Sequence, residues 1–232
     1  ETNDVLDAVD YFYKKFNLDY HIELSTRPEK KLGDDSVWDT AERALENALK
    51  RKGVKYKINP GEGSFYGPKI DFHIKDSLGR TWQCATVQVD FMMPERFGVS
   101  YVGEDNKPHR PVIIHRVIYG AIERFIGILT EHYNGAFPAW LAPVQVRVIS
   151  FTDRNEKKSK EILHKLQNEG LRVDHDFRPS TVDYKVREAE LQKVPYIIVI
   201  GDKEEQNNTL AVRKRGGKPE FAQGGGGDFA QF

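Results

Sequence analysis

The pattern of apolar residues changes at residues 137–143, FPAWLAP, which interrupt both helical and strand periodicity. Before this segment, helix patterns with one apolar side are combined with strand patterns separated by turn signals. After it, strand and helix patterns alternate regularly. A chain with two such different patterns is expected to form two domains, and we place them at residues 1–140 and 141–232.

The first region predicts an α+β domain built on an antiparallel sheet with flanking helices. Its helix patterns cover residues 2–16 and 37–49, with Gly53 as the stop of the second helix. The expected strands are 20–26, 54–58, 69–74 and 81–91, followed by a loop over 92–110 and a short strand, PVIIHR. Turn signals between the second, third and fourth of these strands favour antiparallel pairing. The next segment, VIYGAIERFIGILTEHY, is apolar nearly all round and predicts a buried helix.

The second region predicts an α/β domain of about 85 residues with the order βαβαββ. Because helices connect its first three strands, these strands are expected to be parallel. The run from Gly224 to Gly227 is typical of a linker or a frayed end.

Composition limits the class of protein. The chain has 35 basic and 35 acidic residues, so its net charge predicts no general affinity for nucleic acid. It contains neither a membrane-spanning apolar stretch nor a signal-peptide pattern at its start, and we expect an intracellular, cytoplasmic protein, with an organelle left open. The single cysteine, Cys84, forms neither an internal disulfide nor a CxxC motif.

The glycine-rich segment GEGSFYGPKIDF, residues 61–72, is a first candidate for a site. Its spacing fits neither a dinucleotide fingerprint nor a P-loop, and it leads into a strand instead of a helix. A plain hairpin loop therefore remains the simpler interpretation. The segment nevertheless brings Tyr66 and Lys69 close together at the start of a strand, where an aromatic ring and an ammonium group could contact an anionic ligand.

Two glutamines, Gln83 and Gln88, interrupt a strongly strand-forming run. A buried amide needs hydrogen-bond partners, and either a ligand or the sheet itself could supply them. Because the glutamines are five residues apart, an ideal strand directs them to opposite faces. A bulge between them would bring both to one pocket.

His115 and Arg124 lie in the unit PVIIHRVIYGAIERF. Arg124 falls within the predicted apolar helix, so its guanidinium must either pair with a carboxylate such as Glu123 or await an anionic ligand. His115 by itself is a weak signal for a metal. The residues alone thus predict an anion-binding pocket with an arginine, a lysine and two amides.

Several segments together are similar to the threonyl-tRNA synthetases, a family of class II aminoacyl-tRNA synthetases. These segments are LSTRPEKKLGDD, the run from GEGSFYG to TVQVDF, SYVGEDNKPHRPVIIHRVIYGAIERFIGIL and FPAWLAPVQV. The unit HRVIYGAIERFIGIL resembles motif 3 of class II synthetases, and the βαβαββ region resembles their anticodon-binding domain. The resemblance implies an enzyme that activates threonine with ATP and transfers it to tRNA(Thr).

The resemblance also implies roles for individual residues. Arg124 would be the motif 3 arginine at the ATP phosphates, where magnesium accompanies the nucleotide. Tyr66, Lys69 and Gln88 would line the amino-acid pocket, and Gln83 and Gln88 would contact the adenylate. His115 would be one of three ligands of a zinc ion that binds the threonine amino and hydroxyl groups. In the second domain, Glu204 and Arg213 would meet the anticodon.

The sequence departs from the family in two respects. Motif 1, which forms the homodimer, motif 2 and the other two zinc ligands lie upstream of this chain in the family, so we expect the chain alone to be inactive. Residues 178–181 read RPST where the family usually has Arg-Asn-Glu-Lys, so Pro179 removes an amide that could read a base. Two alternatives stay open, namely a non-catalytic tRNA-binding module and a class II synthetase for proline or serine.

Overall fold

The computed structural model describes residues 1–223, and the chain divides into two compact units, Glu1–His132 and Tyr133 onward. The segment FPAWLAP lies in the second unit, and the domain limits 1–140 and 141–232 stay a prediction. The expected linker at Gly224–Gly227 lies outside the described residues. Within those residues, no helix has the length and apolar character needed to cross a membrane.

The first unit combines four helices with two sheets, a mixed α+β architecture as expected. Its helices are α1 (Thr2–Lys15), α2 (Asp35–Lys52), α3 (Met92–Arg96) and α4 (Ile122–His132). Its strands are β1 (Tyr20–Ser25), β2 (Lys57–Asn59), β3 (Lys69–Lys75), β4 (Thr81–Asp90), β5 (Tyr101–Val102), β6 (Pro108–His109) and β7 (Ile113–Val117).

The main sheet of this unit has the strand order β2-β1-β3-β4-β7. The pairs β1–β3, β3–β4 and β4–β7 are antiparallel, which confirms the expected sheet type. The expectation for residues 54–58 is wrong, because β2 pairs with β1 in parallel, with Lys57 opposite Glu23. The physical reason is the connection between the two strands, since α2 carries the chain back to the same end of the sheet.

One face of this sheet is apolar and packs against the helices. Alternate residues of the central strands form this face, among them Ile22, Leu24, Ile70, Phe72, Ile74, Val87 and Val89. Trp38 of α2 and Tyr13 of α1 are almost fully buried in the same core. Because strand side chains alternate between faces, the opposite face receives the polar residues of β1, β3, β4 and β7.

Two further expectations for the first unit are wrong. Residues 92–110 are not only a loop, because they contain α3 and the hairpin of β5 and β6. The apolar segment after β7 becomes helical only at Ile122, and it is not buried all round. Ile122 and Ile126 are 53% and 55% exposed, whereas Phe125, on the covered side of α4, is only 3% exposed.

The second unit has the predicted α/β order with two additions. Its elements are β8 (Val146–Ser150), the 3₁₀ turn Asp153–Asn155, α5 (Glu156–Asn168), β9 (Val173–Asp176), α6 (Val182–Leu191), β10 (Tyr196–Ile200), α7 (Asp202–Asn207), β11 (Thr209–Lys214) and β12 (Pro219–Gln223). The sheet order is β12-β11-β10-β8-β9, and β8, β9 and β10 are parallel, as expected. The short helix α7 and the edge strand β12 do not follow from the sequence pattern.

Candidate active site

A bulge in β4 decides where the two glutamines point. Phe72 pairs with Ala85, but the next residue of β3, His73, pairs with Gln83, so Cys84 is the extra residue. Because Cys84 is left out of the pairing, the five-residue separation of Gln83 and Gln88 acts as a separation of four, which returns the side chains to the same face. Both glutamines therefore lie on the polar face of the sheet, the arrangement that the sequence left conditional.

Asp71 is the centre of a hydrogen-bond network on this polar face. Its side chain is buried and accepts hydrogen bonds from Ser25 Oγ at 2.8 Å and from Lys69 Nζ at 2.7 Å. It also accepts from Gln83 Nε2 at 2.5 Å and from Thr86 Oγ1 at 2.9 Å. Since a buried carboxylate needs such partners, the network fixes the positions of both Lys69 and Gln83.

Tyr66 and Gln88 form a second contact, at the edge of the sheet where β3 begins and β4 ends. The Tyr66 hydroxyl donates to Gln88 Oε1 at 2.9 Å, and Gln88 Nε2 donates to the Gly67 carbonyl at 3.1 Å. Residue 67 must be glycine, because a Cβ there would lie 2.0 Å from the Val89 carbonyl oxygen. The glycine-rich segment is thus a loop, as its simpler interpretation states, but one held tightly against β4.

His115 lies opposite Gln88 in the pairing of β4 with β7, and its ring is 5.7 Å from that of Tyr66. His115 Nε2 is 2.9 Å from Asp90 Oδ2. Asp90 is completely buried, and its other oxygen accepts the backbone N–H groups of Met92 and Met93 at the start of α3. Asp90 therefore orients the imidazole, while Nδ1 of His115 has no hydrogen-bond partner within residues 1–223.

Arg124 occupies the first turn of α4, which corrects the expectation of an arginine inside a buried helix. It is exposed, and its Nη2 donates to the backbone carbonyl of Gln83 at 3.1 Å. Its guanidinium lies 5.6 Å from the centre of the Trp82 ring. In the described part of the chain it has no carboxylate partner, so the alternative of a structural ion pair with Glu123 is wrong.

Gly120 allows Arg124 to approach β4. Its φ of +68° lies in the left-handed region, and a Cβ there would lie 3.0 Å from the Cys84 carbonyl oxygen and 3.3 Å from Arg124 Nη2. A side chain at residue 120 would therefore press on both the bulge and the guanidinium.

The contacts on the polar face form one connected set. Residues 115, 66 and 88 are linked at one end of this face, and residues 69, 71 and 83 at the other. Arg124 reaches the set only through the backbone carbonyl of Gln83. The two ends meet because Lys69 pairs directly with Gln88 across β3 and β4. Five of the six residues that the sequence predicts for this site thus lie together on the polar face. Arg124 lies beside them, next to Trp82, which pairs with Ile74 of the apolar face.

Asp76 anchors the turn between β3 and β4 and also fixes Trp82. Its carboxylate accepts from Arg80 Nε at 2.5 Å and from Trp82 Nε1 at 2.9 Å. Burial acts to raise the pKa of Asp76, but the hydrogen bonds from Trp82 and Arg80 outweigh it and hold the pKa at about 2.

This low pKa gives an expected pH dependence. Because the folded pKa lies below the unfolded value of about 3.9, the charged Asp76 stabilises the fold above pH 4, and this stabilisation is lost as the pH falls towards 2. We expect Asp76→Asn to be less stable than the unsubstituted protein near neutral pH, with a difference that shrinks between about pH 4 and pH 2.

The measurement is urea unfolding followed by tryptophan fluorescence at a series of pH values, with Trp140→Phe in both proteins so that only Trp38 and Trp82 report. Glu131→Gln is the matched control, since its carboxylate is 45% exposed and 3.6 Å from Arg80 Nη2. It should change stability little at any pH. A stability loss in Asp76→Asn that stays constant down to pH 2 would contradict the expectation.

In the second unit, Glu204 and Arg213 line one cavity of about 680 Å³. Arg213 Nη1 donates to Glu190 Oε1 at 3.1 Å, and Glu204 Oε2 accepts the Gly201 N–H at 3.0 Å. The two residues predicted for the anticodon therefore share a site, at the carboxyl ends of β8 and β10, where ligands of open α/β sheets commonly bind.

Comparison with known proteins places this architecture in a family. Residues 1–133 match the family described as the tRNA synthetase class II core domain (G, H, P, S and T). The chain belongs to the class II tRNA synthetases. Residues 145–223 of this synthetase chain match a second family, the anticodon binding domain, over most of the second unit.

The curated relatives are threonine–tRNA ligases. The chain is 58% identical to the ligase of Desulforamulus reducens over 212 residues, which are 91% of this chain and 33% of the relative. It is 56% identical to that of Carboxydothermus hydrogenoformans, over 94% of this chain and 35% of the relative. The synthetase chain thus spans about a third of the length of these relatives.

A solved structure is similar to this chain over nearly all of its length. The RNA binding domain of threonyl-tRNA synthetase from Cryptosporidium parvum superposes with a TM-score of 0.91 at 36% identity. The match covers 95% of this chain and 56% of that chain.

Sequence reasoning missed two acidic residues of the candidate site, Asp71 and Asp90. Neither belongs to a motif, but Asp71 alternates with Ile70 and Phe72, which indicates a polar residue on the face opposite the core. Asp90 carried no such signal, because the sequence predicted a loop and not α3 after β4. Its contact with His115 depends on the pairing of β4 with β7, which the sequence did not specify.

Proposed function

We propose that this chain is the C-terminal part of a threonine–tRNA ligase, which activates threonine with ATP and transfers it to tRNA(Thr). The observation that carries the proposal is the connected polar face of the first sheet, in a chain that is more than half identical to curated threonine–tRNA ligases. The anticodon binding domain that follows supports a tRNA substrate.

In the proposed reaction, the threonine carboxylate attacks the α-phosphate of ATP and pyrophosphate leaves. The exposed guanidinium of Arg124 would hold phosphate oxygens and stabilise the charge of the transition state. Lys69, Tyr66 and Gln88 would orient the amino acid, and Gln83 and Gln88 would contact the adenylate. Such positioning, with Mg²⁺ bound to the nucleotide, is the main contribution a protein makes to phosphoryl-group chemistry.

We also propose that His115 ligates zinc, together with ligands that residues 1–223 do not supply. Across residues 1–223, no three His, Cys, Asp or Glu side chains are placed to hold a metal. His115 would supply one nitrogen, with Asp90 fixing its ring in the manner of carboxylates behind metal-bound histidines. The remaining zinc ligands would come from outside this chain.

The elements that form the homodimer would also come from outside this chain. We expect the enzyme in the cytoplasm.

A hybrid enzyme tests the proposal. This chain would replace the corresponding third of the Desulforamulus reducens ligase, and threonine-dependent exchange of pyrophosphate into ATP would be measured, followed by charging of tRNA(Thr). We expect activity with threonine in the hybrid and none in the isolated chain.

Serine, proline and the parent enzyme serve as controls for the hybrid. A folded hybrid that is inactive with threonine while the parent is active would contradict the proposal. Exchange that depends on serine or proline instead would assign the site to another class II synthetase.

A further inference from the structure

Arg124 is held in place by an indole ring. Its guanidinium carbon lies over the ring of Trp82, 5.6 Å from the ring centre, and its Nη2 donates to the Gln83 carbonyl at 3.1 Å. The quadrupole of an aromatic ring attracts a guanidinium over its face, and tryptophan attracts it most strongly. The contact therefore restricts a long, exposed side chain that is otherwise free to sample many rotamers.

Trp82 is itself fixed by a buried carboxylate. Its Nε1 donates to Asp76 Oδ2 at 2.9 Å, and the side chain of Asp76 is completely shielded from solvent. The other oxygen of Asp76 accepts the backbone N–H groups of Leu78 and Arg80, at 3.0 and 2.8 Å. Asp76 is thus tied to the turn between β3 and β4, and rotation of the indole would break its hydrogen bond to this anchor.

The backbone around Gly120 limits the guanidinium further. A Cβ at residue 120 would lie 3.3 Å from Arg124 Nη2, so the guanidinium packs closely against this part of the chain. Within residues 1–223, β7 pairs with β4 only from Thr86 to Asp90, and Arg124 reaches the Gln83 carbonyl beyond the end of this pairing. The ring, the carbonyl and the glycine together define one position for the guanidinium.

We propose that Trp82 is a positioning residue, which holds the Arg124 guanidinium where it receives the phosphate oxygens of ATP. The inference rests on the proposed function and adds to it a residue that itself contacts no reactant. Because the arginine is held before ATP binds, less conformational freedom is lost on binding, and its charge faces the phosphates without reorganisation. Arg80 also lies 5.6 Å from the ring centre, but its Nε is bonded to Asp76.

The contact is tested first in the full chain, without ATP, by nuclear magnetic resonance. The ring current of an indole lowers the chemical shift of protons over its face. We therefore expect the side-chain protons of Arg124 at a lower chemical shift in the unsubstituted chain than in Trp82→Leu. The same shift in both proteins would mean that the guanidinium does not lie on the ring, and it would overturn the inference whatever the proposed function.

The role is then tested by pyrophosphate exchange in the hybrid ligase. We expect Trp82→Leu to lower kcat/KM for ATP roughly 3- to 30-fold, the range given by loss of a cation–π contact, with an unchanged KM for threonine. Trp82→Phe keeps a ring face and should recover part of this loss. Trp38→Phe is the matched control, because it removes the N–H donor of a core tryptophan, at 2.7 Å from the Leu32 carbonyl. It should leave kcat/KM for ATP unchanged.

A double substitution shows whether Trp82 acts through Arg124. In the Arg124→Ala background, Trp82→Leu should have no further effect on exchange, because the side chain that it positions is gone. If the leucine variant does not fold, Trp82→Phe takes its place, with a smaller loss that should also disappear in the Arg124→Ala background.

The possible outcomes separate this inference from the proposed function. The same loss in both backgrounds, or a KM for threonine that rises as much as that for ATP, would overturn the positioning role and leave the proposed function in place. Equal losses in Trp82→Leu and Trp82→Phe would overturn the role of the ring. An unsubstituted hybrid that is folded but inactive with threonine would overturn the positioning role and the proposed function together.

Discussion

Replacing Arg124 by alanine in the hybrid ligase is expected to lower threonine-dependent pyrophosphate exchange by at least about 100-fold. The guanidinium is exposed and makes one hydrogen bond, to the Gln83 carbonyl, so most of its donors are free for a ligand. A fold change of 100 corresponds to about 2.7 kcal/mol of lost transition-state stabilisation. Stability should change little, because Arg124 belongs to no buried ion pair.

Arg116→Ala is the matched control for Arg124. Arg116 is also exposed, and it lies on β7 next to His115, where the alternation of the strand turns it to the other face of the sheet. We expect its exchange activity to stay within a few-fold of the unsubstituted hybrid. Exchange at a near-normal rate in Arg124→Ala would remove this arginine from the proposed site, whatever Arg116→Ala does.

The second large effect is expected from Asp71→Ala, which should lower the free energy of unfolding of the first unit by about 3–5 kcal/mol. The substitution removes the acceptor of four side chains and leaves the Lys69 ammonium, whose side chain is only 16% exposed, without its partner. The cost thus comes mainly from an uncompensated buried charge. It can be measured by urea unfolding in the Trp140→Phe background.

Asp71→Asn and Glu131→Ala complete this test. The asparagine keeps an acceptor but not the charge, so its loss of stability should fall between that of Asp71→Ala and none. Glu131→Ala removes a carboxylate from an exposed position and should cost less than about 1 kcal/mol. Equal effects of Asp71→Ala and Glu131→Ala would mean that the network around Asp71 contributes no more than a surface pair.

Local periodicity was sufficient to predict most elements of both units. The apolar stripe of α1, the stop of α2 at Gly53 and the alternation in β3 are properties of short segments, and they appear in the structure as expected. The parallel order of β8, β9 and β10 also follows from the sequence, because consecutive strands of one sheet that are joined by a helix usually run parallel.

The errors concern features that depend on distant neighbours. The position of β2 beside β1 is set by how α2 crosses the sheet. The buried side of α4 is set by the rings of Phe16 and Tyr119, which contact Phe125. The bulge at Cys84 depends on the pairing of β3 with β4. None of these can be read from a window of ten residues, because the deciding partner lies elsewhere in the chain.

The amino-acid sequence by itself determined the two patterns of secondary structure and, through its resemblance to a known family, indicated candidate residues for the polar site. Only the tertiary structure decided that Gln83 and Gln88 share a face, that Arg124 is exposed beside Gln83, and that Asp71 and Asp90 hold Lys69 and His115 in place. The physical reason is that periodicity reports which side of an element is apolar, whereas strand register and burial fix which polar groups can reach one another.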